Sequence, residues 1–245
     1  MIKLHWSLLK RLYRLRSRFA VYSRLDRRWL LDNRNWVDQQ LIIRRPYEVE
    51  QIARCRQMVR EQRLQAFFDI GANFGLYSVL LSDEAPLSEF HAFEPLPRNA
   101  DQFGANLYLN GLDDRIKLHR CALSDKSGEV ELYVDPHSTG VSTLLAAGER
   151  SRRTAYQASI RIEARVFDDM FPLNGVRAFV KMDVEGAELM VLAGMRRFFA
   201  DNQVVLQVET TDETRGQVDD FMTQAGYRAL GCLGADAYYS NIQAS

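Results

Sequence analysis

The sequence is poor in cysteine. Cys55, Cys121 and Cys232 are the only three in 245 residues; they are odd in number and form no C-x-x-C pair. That excludes a disulfide framework, offers no zinc-ligand spacing and makes a reducing cytoplasm the expected setting. No apolar run approaches 18 residues, so no transmembrane helix is expected. The first residues carry too many arginines and too short an apolar core for a secretory signal, although an Arg-rich, acid-poor start is compatible with an organellar transit peptide. There is no internal repeat and no low-complexity segment.

What is present reads as one globular domain with a modest extension. The chain is 47% apolar, 26% charged and 11% aromatic, enough to build a sizeable core. The formal net charge of zero hides an asymmetry: residues 1–64 hold 16 Lys and Arg against 6 Asp and Glu, and the remainder holds 16 against 26. Such a split points to a negatively charged partner at one end. Residues 1–31 read as a basic amphipathic helix. Leu4, Leu8, Leu12, Leu15, Phe19, Tyr22 and Trp29 fall on one face at 100° per residue, and Asp26 is the only acid. Residues 32–46 read as a connector ending at Pro46, and residues 47–63 as a second helix. Residues 1–63 thus form a basic, helical N-terminal extension, and 64–245 the main domain.

From residue 64 short apolar runs alternate with helical patterns. Strands are predicted at 66–70, 89–93, 116–121, 128–134, 160–166, 177–182, 203–209 and 226–233, and helices at 74–83, 97–110, 186–200 and 212–225. This α/β order predicts a doubly wound, mostly parallel sheet with helices on both faces. Ligands bind such a sheet beyond the C-terminal ends of its strands, near the point where strand order reverses.

The strand ends carry the chemistry. The first runs into D-I-G-A-N-F-G, Asp69 to Gly75. Glycine lets backbone approach a ligand, and a helix N-terminus favours an anionic group. A tight βα turn would use the same glycines, but Asp69 beside it suits a ligand amine. The second strand ends in F-E-P. Glu94, 25 residues after Asp69, is placed to accept both hydroxyls of a ribose; alone it would read as a solvated strand end. The third ends in C-A-L-S-D, where a backbone amide and Ser124 or Asp125 could read an adenine edge or simply form the turn before Gly128. The fourth leads into K-M-D-V-E-G-A-E, Lys181 to Glu188. The helix dipole accounts for one of its three acids, not for all three beside Lys181. The fifth adds Glu209. Clustered carboxylates shift one another's pKa and can host a base or a divalent cation.

These blocks, taken in order with A-L-S-D-K-S-G and the V-E of the fifth strand, resemble the FkbM family of S-adenosylmethionine-dependent methyltransferases over residues 65–235. K-M-D-V-E-G-A-E is the most specific of them. The resemblance implies a class I methyltransferase fold, with a seven-stranded sheet whose last strand is antiparallel, and O-methylation of sugar or natural-product hydroxyls. It implies that Asp69, Gly71, Ala72, Asn73 and Gly75 serve the methionine end of the cofactor and that Glu94 holds the ribose. Ala122, Leu123, Ser124 and Asp125 would border adenine. Asp183, Glu185 and Glu209 would face the acceptor, with Lys181 fixing the carboxylates. Segment 135–159, with Ser142–Leu144 and Arg150–Arg153, is expected to be an acceptor lid or a surface loop.

A sulfonium methyl is already activated, so the work left is positioning and removal of the acceptor proton. Asp183 is the leading base, then Glu185, with His137 as the histidine alternative. His91 and His119, inside strands, read as structural. A divalent metal on Asp183 and Glu209 is possible chemistry but not favoured. The glycine spacing and the lack of Tyr-x-x-x-Lys argue against a nicotinamide dehydrogenase. The missing N/D-P-P-Y/F motif and the acidic main domain argue against an RNA methyltransferase, and the intact carboxylates against a non-catalytic adaptor. The acceptor expected is a hydroxyl-bearing glycan or small molecule. The basic stripe of residues 1–31 suits peripheral binding to an anionic membrane, or packing on the domain itself.

Overall fold

The structure, a computed structural model, describes residues 17–134 and 158–243. Where residues 17–31 were expected to be helical, they form a hairpin of β1 (Phe19–Arg24) and β2 (Arg27–Asp32). The helical stripe was a coincidence of pairing. Tyr22 and Trp29, seven residues apart, lie opposite one another across the turn at Leu25–Asp26. Leu4, Leu8, Leu12 and Leu15 lie outside the described residues. The expected connector contains a helix, α1 (Trp36–Ile42), started by Asn35, whose side chain accepts from the Val37 amide. The second helix is present as α2 (Val49–Glu61). No helix among the described residues is long and apolar enough to cross a membrane.

The strands that follow are β3 (Ala66–Ile70), β4 (Glu89–Phe93), β5 (Ile116–His119), β6 (Ala122–Leu123), β7 (Gly128–Val134), β8 (Ala158–Arg165), β9 (Arg177–Met182), β10 (Gln203–Glu209), β11 (Arg228–Leu233) and β12 (Asp236–Ser240). Seven of them form the main sheet, in the order β11-β12-β10-β9-β3-β4-β5. β3, β4, β5, β9 and β10 run parallel to one another, and β12 runs antiparallel between β10 and β11. Strand order reverses at β3, as the doubly wound reading requires. The strand β12 was not among the expected ones; it returns from β11 through a turn at Gly234. The strands expected at 128–134 and 160–166 leave the main sheet. They pair as β7 and β8, with β6, in a separate three-stranded sheet over a small core of Leu96, Leu132, Ile162 and Ala164.

Burial on both faces explains why the parallel strands read as continuous apolar runs. Phe67, Phe179 and Val205 point into one core layer; Phe68, Val180 and Leu206 point into the other. The first layer is closed by α1, α2, α3 (Leu76–Leu81) and α4 (Pro97–Leu109), together with Trp29 and Leu31 of the hairpin. The second is closed by the one-turn α5 (Phe167–Met170), α6 (Glu188–Ala193), α7 (Arg196–Asp201) and α8 (Arg215–Gln224). The single helix expected at 186–200 is broken at Gly194, where a Cβ would stand 2.2 Å from the Ser124 carbonyl oxygen. His91 and His119 are structural: their rings are 3.0 Å apart, nitrogen to nitrogen, and sit among Phe68, Phe93 and Phe171.

The N-terminal hairpin is thus part of the domain's own core. Trp29 is fully buried, meets Phe74 edge-on at 5.8 Å and donates through its indole to the Arg24 carbonyl. Trp29→Ala should lower the unfolding free energy by about 3–5 kcal/mol. Denaturant titration of the two proteins measures this; an unchanged midpoint would place the hairpin outside the cooperative core.

Candidate active site

The site is built where β3, β4, β9 and β10 end. Gly71 and Ala72 donate their amides to the Phe93 carbonyl, and Asp183 donates its own to the Ile70 carbonyl, so the three strand ends are tied together. Gly71 has φ +79°, and a Cβ there would stand 1.8 Å from the Asp183 carbonyl oxygen, so only glycine lets β3 and β9 approach this closely. Gly75, at φ +91°, leaves room for the Phe103 ring.

Two cavities open at these ends. The first is lined by Phe93, Glu94, Ala122, Leu123, Val184 and Glu185, together with Gly71, Asn73 and Asp183. Glu94 lies on its wall, 5% exposed; its carboxylate accepts from the Asn73 amide at 2.7 Å and the Leu96 amide at 2.9 Å. Burial pushes its pKa up to about 7 against the pull of those amides. The second cavity is lined by Val37, Tyr47, Glu48, Tyr77, Glu209 and Asp236, again with Gly71, Asn73 and Asp183, and with Lys181 on its wall. The two cavities therefore share Gly71, Asn73 and Asp183.

A polar row crosses the sheet under the second cavity. Asp69 pairs in register with Lys181, Lys181 with Gln207, and Gln207 with Tyr238. Lys181 is 6% exposed and lies 3.2 Å from Asp183 Oδ2. Burial pulls its pKa down, but Asp183, Asp69 and Glu209 together outweigh that and keep the ammonium charged. Gln207 donates to Asp236 and to the Tyr77 hydroxyl, and Tyr77 donates to Glu48 at 2.8 Å. Glu209 stands at the solvent-open rim. Repulsion from Asp183, then loss of solvation, raises its pKa; access to water screens that effect, but its direction is upward.

The predicted residues thus divide. Gly71, Asn73, Glu94, Ala122, Leu123, Asp183 and Glu185 line the first cavity; Ala72, Lys181 and Glu209 line the second. Asp69 lines neither: it is 1% exposed, and its Oδ2 accepts from both the amide and the hydroxyl of Ser78. Oδ2 thus braces α3, while Oδ1 has no hydrogen bond among the described residues. Gly75 shapes packing. Ser124 is buried, with its amide on the Arg165 carbonyl, and Asp125 is exposed; neither lines a cavity here. His137, Ser142–Leu144 and Arg150–Arg153 lie outside the described residues. Sequence reasoning missed Tyr47, Glu48, Tyr77, Gln207 and Asp236. Position 77, directly after the glycine turn, was the one with a local signal.

The residues fit an adenosyl cofactor. After accepting from the Asn73 and Leu96 amides and the Asn99 side chain, Glu94 keeps acceptor capacity for a hydroxyl donor, and Phe93, Ala122 and Leu123 give the first cavity an apolar wall. Asp183 Oδ1 is buried with no hydrogen bond among the described residues. Among those residues no group of three or more His, Cys, Asp or Glu is arranged to hold a metal ion; the carboxylates face Lys181.

Comparisons with known proteins agree with this geometry. The methyltransferase sdnD of Sordaria araneosa is 28% identical over 186 residues, covering 65% of this chain and 72% of its own. The 31-O-demethyl-FK506 methyltransferase FkbM of Streptomyces tacrolimicus is 29% identical, covering 66% and 72%. The 2-O-methyltransferase NoeI of Sinorhizobium fredii is 27% identical, covering 62% and 66%. The family model described as the methyltransferase FkbM domain matches residues 69–229, from the first strand-end acid to β11, and the chain belongs to that family.

Proposed function

We propose that the protein is an S-adenosylmethionine-dependent O-methyltransferase whose acceptor is a hydroxyl of a sugar or other small molecule. The observation that carries this is the shared wall of the two cavities. Gly71, Asn73 and Asp183 border both, so a donor in one and an acceptor in the other meet at Asp183. The relatives named for 31-O and 2-O methylation support a hydroxyl acceptor.

Glu94 would hold the ribose hydroxyls, with Ala122 and Leu123 against the base. When bound, the cofactor supplies a methyl group on a sulfonium, already activated for in-line displacement. The chain must then orient the hydroxyl and take its proton. Asp183 suits both tasks: Lys181 fixes one carboxylate oxygen and leaves Oδ1 to accept. Glu209, raised by Asp183, is the neighbouring group able to hold a proton near neutral pH. Lys181 stays charged, so it positions carboxylates and is no nucleophile.

Asp183→Asn should leave cofactor affinity within about twofold and cut kcat by about 10²–10⁴-fold. Methyl transfer from labelled S-adenosylmethionine to a panel of hydroxylated glycans and small metabolites measures the second; wild-type rates in the variant would move the base elsewhere. A Glu94 pKa of about 7 also sets a pH dependence. An ionised carboxylate accepts hydroxyl hydrogen bonds more strongly than a protonated one. Cofactor affinity by calorimetry should therefore rise several-fold from pH 6 to pH 8, while Glu94→Gln should bind at least tenfold more weakly and without that slope. Equal affinity in the two proteins would remove the ribose assignment.

A further inference from the structure

A third cavity, a groove between the hairpin turn and the segment joining α1 to α2, is unused by the reading above. Its walls include Arg24, Arg27, Arg28, Arg44 and Arg45, with Asp26 as the only acid. Some of this charge is tied locally. Arg24 donates to the Leu41 and Ile42 carbonyls, and Arg27 pairs with Asp83. The Arg28 and Arg44 side chains have no hydrogen bond or ion pair among the described residues, and Arg45 reaches only the Gln40 amide oxygen, at 3.4 Å. Arg28, Arg44 and Arg45 thus stand beside one hollow whose only lining acid is Asp26, with little local compensation for their like charges.

Backbone strain is concentrated at the same place. Leu25, Asp26 and Arg44, all on the groove wall, have φ of +51°, +57° and +60°, and Glu48 just beyond has +55°. These are four of the seven non-glycine residues with positive φ in the described chain. Such conformations cost about 1–3 kcal/mol each and gather where function holds them. The two residues at the hairpin turn would ordinarily be Asn-Gly; Leu25 and Asp26 sit there instead.

Position gives the groove its meaning. Tyr47 lines both it and the second cavity, and the next residue, Glu48, lies in that cavity. The two neighbours have opposite character. Asp183, Glu209, Asp236 and Glu48 make the second cavity acidic, so it disfavours an anion and admits a neutral hydroxyl. Past Tyr47 the arginines favour an anion, and their planar forks match phosphate oxygens. We infer that the groove binds the phosphate or diphosphate group of the methyl acceptor, whose hydroxyl passes Tyr47 to reach Asp183. The inference rests on the methyltransferase reading only for the second half of that statement; the anion site stands on the groove itself.

The experiment titrates inorganic pyrophosphate into the full chain by calorimetry, beside an Arg28→Gln/Arg44→Gln/Arg45→Gln variant, with S-adenosylmethionine titrated into the same samples. Circular dichroism and thermal unfolding check that the exposed substitutions leave the fold intact, and the single Arg44→Gln variant repeats the test with the least disturbance. Wild-type protein should bind pyrophosphate, more weakly as salt rises. The triple variant should bind it at least tenfold more weakly, and Arg44→Gln to an intermediate degree. Absence of pyrophosphate binding by wild type, or equal affinity in the triple variant, would overturn the proposal. Arginine-dependent binding of phosphatidylglycerol vesicles or of a single-stranded RNA without pyrophosphate binding would also overturn it, in favour of a macromolecular surface. The cofactor titration separates the two readings: loss of S-adenosylmethionine binding in wild type would defeat the proposed function and leave the pyrophosphate result to decide the groove.

Discussion

The ammonium of Lys181 lies under the site, almost closed to solvent, with Asp69, Asp183 and Glu209 as the carboxylates that hold it charged. A lone buried cation would be expelled or neutralised; a lone cluster of three carboxylates would take up protons. Each therefore depends on the other. Removing one member of a buried pair leaves an uncompensated charge, which costs about 3–5 kcal/mol in typical cases. The register of the sheet fixes the arrangement: Asp69 on β3 stands beside Lys181 on β9, and Gln207 on β10 stands beside Lys181 in turn. Glycine at 71 then lets the two strand ends close until the Asp183 backbone occupies the space a side chain would fill.

The same row explains why the acid at 69 does structural work. Its place at the end of β3 makes it look like a ligand group in the sequence. In the fold it is the partner of Ser78 and a counter-charge to Lys181, one layer below the cavities. Glu94, one strand over, projects to the first cavity because β4 turns through Pro95 and its carboxylate caps the amides of Asn73 and Leu96. Asp69 lies within β3, in register with Ala92, whereas Glu94 stands one residue past the end of β4, so the first is enclosed by the sheet and the second reaches its open end.

That distinction marks how far the sequence could be read. Strand ends and glycine turns are local, and the parallel core strands announce themselves as short apolar runs because both faces are covered. Gly71, Asn73, Glu94, Asp183 and Glu209 were visible for that reason. The hairpin was not, because Tyr22 and Trp29 satisfy a seven-residue helical spacing and a cross-strand pairing equally well. The usual turn residues are missing at Leu25–Asp26, so nothing in the window broke the tie. Helix α1 did carry a signal, Asn35 ahead of Val37 and Leu41, but its polar residues Asp38, Gln39 and Gln40 are all buried, which no helical pattern of apolar spacing would reveal. The network of Glu48, Tyr77, Gln207 and Asp236 joins positions 188 residues apart at its extremes, and only the folded sheet brings them together.

The boundaries of the family match divide the site in a physically meaningful way. The first cavity is lined entirely by residues between 69 and 229, including Gly71, Glu94 and Asp183. The second draws Val37, Tyr47 and Glu48 from before that stretch and Asp236 from after it. On the proposed reading, the donor side would be built from the part of the chain shared with relatives, and much of the acceptor side from parts outside it. These outside parts are also where the hairpin, the arginine groove and five of the seven described non-glycine residues with positive φ lie. An acceptor is selected by what its pocket offers and by what it repels. If the second cavity takes the acceptor, as proposed, part of the wall that would make the choice comes from the N-terminal segment through Val37, Tyr47 and Glu48, so resemblance across the family domain carries the reaction to this chain more firmly than it carries the acceptor.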